Sequence, residues 1–173
     1  MNLNELQNPK LKILNLINQY EKTIYKKNFL NGFSNLLELK LDSFRLGHLL
    51  SKNRYLFSTL NNLHKLELIN TTNISLIDNT VFFGLINLEE LILDSNEIGL
   101  IEKDAFKHLT NLRLLHLKEN KISQIMCGAL NGLKRLKIFK LNQHNSNFDY
   151  TFVRKIDLNS IEIINIILNE LLD

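Results

Sequence analysis

Apolar residues recur along this chain at a fixed spacing much longer than any helical or strand period. Leu88, Leu91, Leu93, Ile98 and Ile101 coincide with Leu112, Leu115, Leu117, Ile122 and Ile125 at an offset of 24, and Asn96 coincides with Asn120. The frame extends upstream to Leu63, Leu66, Leu68, to Leu36, Leu39, Leu41 and to Leu11, Leu14, Leu16. Downstream it continues to Leu136, Phe139, Leu141 and to Leu158, Ile161, Ile163. Seven units result, at intervals of 25, 27, 25, 24, 24 and 22 residues. A second apolar position lies six residues before the first leucine (Leu30, Phe57, Phe82, Phe106, Leu130, Phe152). A third lies three residues before it (Phe33, Leu60, Leu85, Leu109, Leu133) and fails at Lys155. Self-similarity at such a period is the mark of a repeat architecture.

Inside each unit the second and third leucines alternate with variable residues, the period of a strand with one buried face. Strand cores are predicted near 13–17, 38–42, 65–69, 90–94, 114–118, 138–142 and 160–164. Strands recurring once per unit must lie parallel, so the remainder of each unit returns along the outer side and the sheet curves into an arc. Seven strands spaced about 4.8 Å apart predict an inner surface roughly 29 Å long. The chain, 1–173, is expected to be a single domain whose irregular terminal units act as caps.

These residues resemble the leucine-rich repeat family in its 24-residue form, LxxLxLxxNxIxxIxxxxFxxLxx, over roughly residues 11 to 168. The departures are the spacing at the ends and the asparagine slot, which holds Gln19, Phe44, Thr71 and His144 outside the two regular units. The resemblance implies an α/β fold: a leucine-rich repeat solenoid with a curved parallel β-sheet on the concave side and loops and short helical turns on the convex side. It also implies that Asn96 and Asn120 form a buried hydrogen-bonding ladder. The activity it implies is a non-enzymatic scaffold holding a protein or peptide partner on the concave face. The alternatives are a fragment of a larger receptor or effector and, less favoured, a nucleic-acid-binding solenoid.

Composition narrows the classes. Thirty-seven leucines and 25 asparagines fit repetition, while one cysteine excludes a disulfide framework and a cysteine-based zinc cluster. No apolar run approaches the roughly 18 residues of a membrane span, so no membrane contact is expected. The opening MNLNELQNPK lacks the basic start, apolar stretch and cleavage site of a secretory signal, and a cytoplasmic setting is expected. By the same reasoning the Asn70 and Asn73 glycosylation triplets are ascribed to asparagine abundance. A formal net charge of +3 is too balanced to imply a polyanionic partner.

Candidate chemistry is sparse. No glycine-rich phosphate loop, GxSxG, HExxH or kinase signature occurs, so no enzyme activity, cofactor or metal is expected. Phe57, Phe82 and Phe106 are assigned to a buried spine, Cys127 to a small apolar filler, and the Lys134, Arg135, Lys137, Lys140 cluster to solvated surface. Function falls instead on the side chains flanking the buried leucines: seven strands with three open positions give 21, the scale of a standard interface. Among them Glu67, Glu90 and Asp94 mark an acidic half, and Lys118 and Lys140 a basic half. Ile92, Leu114 and Ile138 are expected to form a contiguous apolar patch, with Ile92 and Ile138 flanking Leu114, and with His116 beside it as a solvated histidine or a pH-sensitive contact.

Overall fold

The computed structural model describes residues 8–17, 29–143 and 163–168. The main sheet is parallel throughout and has seven strands. They are β1 (Ile13–Ile17), β2 (Glu38–Asp42), β3 (Lys65–Ile69), β5 (Glu90–Ile92), β7 (Leu114–His116), β9 (Ile138–Gln143) and β10 (Ile163–Leu168). Each strand lies beside the next in that order, with one turn of chain between neighbours. One carbonyl per turn sets each strand's entry. Leu37 O accepts from the amides of His64 and Lys65, His64 O from Glu89 and Glu90, Glu89 O from Arg113 and Leu114, and Arg113 O from Lys137 and Ile138.

The first, second and third leucines of each central unit lie inside, and the phenylalanines Phe57, Phe82 and Phe106 pack beneath them. Phe82 and Phe106 stack with ring centroids 5.8 Å apart. At roughly 25 cal/mol per Å² of apolar surface, this repeated burial is the main force holding a coil in which each turn touches only its neighbours.

Two strands are shorter than the sequence predicts: pairing stops at Ile92 and His116 rather than running to 94 and 118. Four successive units turn through a left-handed residue at this point, Ser95 and Glu119 (φ +57° and +54°) as well as Ser43 and Asn70, yet β2 and β3 keep five residues, so that conformation alone does not shorten β5 and β7. The Lys118 amide donates to the Asp94 carboxylate at 2.8 Å instead of to a strand carbonyl. The last strand is displaced: Ile163 stands opposite Ile138, so pairing begins three residues later than the predicted 160, and Ile164 falls opposite Phe139. Ser160 and Glu162, predicted for that strand, lie outside the described residues, as do Gln19, His144, Phe152, Lys155, Leu158 and Ile161.

The return side is more regular than loops and helical turns alone. A second parallel sheet forms from β4 (Leu76–Ile77), β6 (Leu100–Ile101) and β8 (Gln124–Ile125), with Ile77, Ile101 and Ile125 buried. The one helix among the described residues, α1 (Leu46–Lys52), falls in the longest interval, that of 27 residues. Leu46 and Leu49 are buried and Leu50 is half-buried, the i, i+3, i+4 pattern of a helix with one apolar stripe. Gly47 is required there, since a Cβ would collide with the Asn73 carbonyl of the next turn.

Two sets of asparagines lock neighbouring turns. Asn96 Nδ2 donates to the carbonyls of Leu68 and Leu93, both at 2.8 Å, while its Oδ1 accepts from the amide and hydroxyl of Thr71. Asn120 Nδ2 donates to Leu93 O (2.9 Å) and Leu117 O (3.1 Å), and its Oδ1 accepts from the Ile98 amide. Thr71, a departure from the family pattern, thus joins the network, while Phe44 fills the equivalent place in its unit as a buried ring stacked on Phe29. The second set was not located from the sequence. Asn35, Asn62, Asn87 and Asn111 each donate to a carbonyl of the preceding turn (Pro9, Ser34, Asn61 and Ile86) at 2.8 to 3.1 Å. The signal was present, since each of these asparagines immediately precedes the first leucine of its unit.

Candidate binding face

Parallel pairing without offset arranges the open side chains of the main sheet in rows. The first row runs Ile13, Glu38, Lys65, Glu90, Leu114, Ile138, and the middle row Asn15, Lys40, Glu67, Ile92, His116, Lys140. Asp94 and Lys118 lie just past the ends of β5 and β7, at the edge where Asp42 and Ile69 close the earlier strands. All nine residues singled out on this face therefore belong to one surface, but their neighbours differ from those expected. Leu114 faces Glu90 on one side and Ile138 on the other, whereas Ile92 faces His116. The apolar patch is the pair Leu114 and Ile138, with Ile92 diagonal to it. All three are half-buried, while Ile13 and Ile17 on the edge strand β1 are more exposed, at 51% and 62%.

In the acidic half Glu67 and Glu90 are paired, while Glu38 is exposed with no ion-pair partner among the described residues. Glu67 accepts from Lys65 at 2.9 Å and lies 3.3 Å from Lys40, and Lys65 is 3.7 Å from Glu90. Burial pushes the Glu67 carboxyl up, but the hydrogen bonds and charges of Lys65 and Lys40 outweigh it, so its pKa lies below the usual value. The hydrogen bond to Glu67 likewise holds Lys65 above the ordinary lysine value against the opposing effect of burial. A shallow groove of about 270 Å³ opens at the strand starts beside this network, lined by Leu37, Glu38, His64, Lys65, Glu89 and Glu90.

Residues 86–146 match the family model described as leucine rich repeat. Those residues carry leucine-rich repeats, and the parallel coil they belong to has the form of a leucine-rich repeat solenoid. Among solved structures, the "Crystal structure of TLR13-ssRNA13 complex" is similar at a TM-score of 0.46 and 19% sequence identity, over 83% of this chain. The chain spans 27% of the length of that one. None of the curated proteins compared matches.

The basic half of the repeat face is built differently. Lys118 and Lys140 have no ion-pair partner among the described residues. Between them stands His116, whose Nδ1 lies 3.6 Å from the Asp94 carboxylate and whose side chain is only 15% exposed, so it is not a solvated surface histidine. Its Nε2 is buried without a hydrogen-bond partner. Burial is the main influence lowering its pKa below the ordinary 6.5; Asp94 and Glu90 oppose the shift, while Lys140 and Lys118 add to it.

Away from this face, Cys127 is exposed rather than a core filler. Lys134 and Lys137 are exposed, and Arg135 donates to Asn111 Oδ1 at 2.9 Å, extending the second asparagine set by one turn. Rings that the repeat pattern does not include meet on the outer surface: Phe83 packs edge to face against Tyr55 (5.2 Å) and His108 (5.0 Å). Among the described residues no helix is long and apolar enough to cross a membrane.

Proposed function

We propose that this leucine-rich repeat solenoid is a non-enzymatic binding scaffold that holds a protein or peptide partner on its concave face. The observation that carries this reading is the pair Leu114 and Ile138. These side chains lie partly open on a sheet surface that repeat-to-repeat packing does not use, beside ammonium groups with no ion-pair partner among the described residues. Partly exposed apolar residues rimmed by charge are the composition of an interface centre. Leu114→Asp tests it. The variant should fold, with a melting temperature close to that of the parent, and should lose a partner captured by the intact chain, by 2 kcal/mol or more of binding, about thirtyfold. Capture at full affinity would move the site off this face.

A further inference from the structure

We infer that the basic half of the concave face recognises an extended acidic peptide segment, with a carboxylate received between Lys118 and Lys140 and an apolar side chain two residues away seated on Leu114 and Ile138. The inference rests on the concave-face reading and adds the chemistry of the partner.

Three observations converge. The two ammonium groups lack anionic partners among the described residues, whereas Lys40 and Lys65 at the other end are held by Glu67. Both are close enough to act on the His116 ring between them. The acids nearest this corner among the described residues are engaged elsewhere: Asp94 is turned toward that ring and accepts a hydrogen bond from the Lys118 amide, Glu90 lies 3.7 Å from Lys65, and Glu119 accepts from the Ser95 hydroxyl. Next, the apolar pair lies in the first row and Lys140 in the middle row, two residues along the strand, or about 6.6 Å. Alternate side chains of an extended peptide have that same separation, so apolar and acidic residues at i and i+2 reach both places at once. Finally, Glu67 and Glu90 occupy the same face, and among the described residues no aromatic ring stands in the open rows to stack a base. A long polyanion would meet the acids, whereas a short acidic segment meets only the corner.

His116 responds to such an occupant. The groups facing it are Asp94 and Glu90 on one side and Lys118 and Lys140 on the other, with Ile92 beside it. A carboxylate placed between the two lysines favours the imidazolium and gives the ring a second anionic neighbour. Binding then takes up a proton and strengthens as pH falls from 8 toward 5.5, where glutamate side chains remain mostly ionised.

The test uses the full chain and two fluorescein-labelled peptides, one in which a leucine and two glutamates alternate with serines and one with glutamines in place of the glutamates. Fluorescence anisotropy should show the glutamate peptide binding about tenfold more tightly, an advantage that Lys140→Glu abolishes and Lys134→Glu, at an exposed site away from the face, leaves intact. Affinity should rise about threefold from pH 8 to 5.5, and His116→Gln should remove that dependence. Equal binding of both peptides, lost in Leu114→Ala, would overturn the acidic recognition while leaving the concave-face reading standing. Glutamate-dependent binding that survives both Leu114→Ala and Lys140→Glu would overturn both. If single-stranded oligouridylate binds more tightly than either peptide and Lys140→Glu abolishes it, the corner reads phosphate and the inference fails.

Discussion

The two halves of the concave face differ in how their charges are engaged. Around Glu67 the charges are spent on one another: Lys40, Lys65 and Glu90 form a continuous chain of contacts across three strands. Around His116 two lysines remain available and the nearby acid faces inward along the sheet. A count of acids and bases per repeat makes the first half look like an acidic surface. The pairing neutralises its centre around Glu67, leaving Glu38 exposed at the margin, and makes the other half the place where an incoming anion finds a partner. Surface electrostatics here follow from register, since only residues in the same or adjacent rows come within reach of one another.

That register gives the largest expected effect. Leu114 and Leu115 are consecutive but point to opposite sides of β7, Leu115 being fully buried. Leu115→Asp loses core packing and buries a carboxylate with no partner, a cost above about 4 kcal/mol, and should leave the central turns unfolded by circular dichroism. Leu114→Asp, which loses a half-buried pair with Ile138 and sets a carboxylate opposite Glu90, should cost about 1 kcal/mol, far less than Leu115→Asp. Equal destabilisation would mean that the rows are misassigned and that the comparison of the two halves has no basis.

Next in size is the lock beneath the basic half. Asn120→Ala leaves the carbonyls of Leu93 and Leu117 and the amide of Ile98 without their partner, and should cost about 1 to 3 kcal/mol in urea unfolding. Lys118→Ala, two residues earlier on the open side, should cost under about 0.5 kcal/mol. A large loss from Lys118→Ala would show that its ammonium already has a structural task, contrary to its contrast with Lys65.

How far such contrasts can be read from sequence depends on what fixes them. The 24-residue period carries the buried leucines, the parallel sheet and the polar break at Asn96 and Asn120, because each follows from one position repeating against itself. It also places Ile92 opposite His116, one period away; expecting Ile92 beside Leu114 overlooks the two-residue offset along the strand. The shortened β5 and β7 were not legible, since the Asp94 carboxylate replaces a strand carbonyl as acceptor of the Lys118 amide, a competition that no repeated position announces. Nor was the neutralisation of Glu67, which depends on how far two lysines reach across strands from positions that vary between repeats. The final unit failed for another reason. Isoleucines at 161, 163, 164, 166 and 167 permit more than one frame, and the observed pairing takes the later one.

The self-paired half should reveal itself in acid. Glu67→Gln removes the anion that holds two partly exposed lysines and should cost about 0.5 to 1 kcal/mol at pH 7, the range for surface ion pairs. Because the folded carboxyl titrates below its unfolded value of 4.5, its contribution is present above that pH and is lost as pH falls through the folded pKa. The difference in stability between parent and Glu67→Gln should therefore shrink below pH 4.5. A constant difference down to pH 3 would mean that Glu67 acts through packing and that the two halves differ less than their geometry implies.

The smallest effect concerns His116 and isolates the charges around it. The ring's folded pKa lies below 6.5, so stability from this site is present above pH 6.5 and is lost as pH falls through the folded value; the unfolded chain binds the proton more readily. Burial dominates that shift, and substituting a neighbour changes only the electrostatic remainder. Lys140→Ala removes a like charge and should move the His116 titration upward when followed by NMR of the imidazole protons. Asp94→Asn removes the opposing carboxylate and should move it downward. His108, whose lowered pKa comes from burial and then from Lys107, should not respond to either change and serves as the internal reference. Opposite displacements from these two variants would establish that Lys140 and Asp94 act on one ring from opposite sides. If neither displaces His116, Lys140 points away from the corner, and the basic half has no focus for a carboxylate.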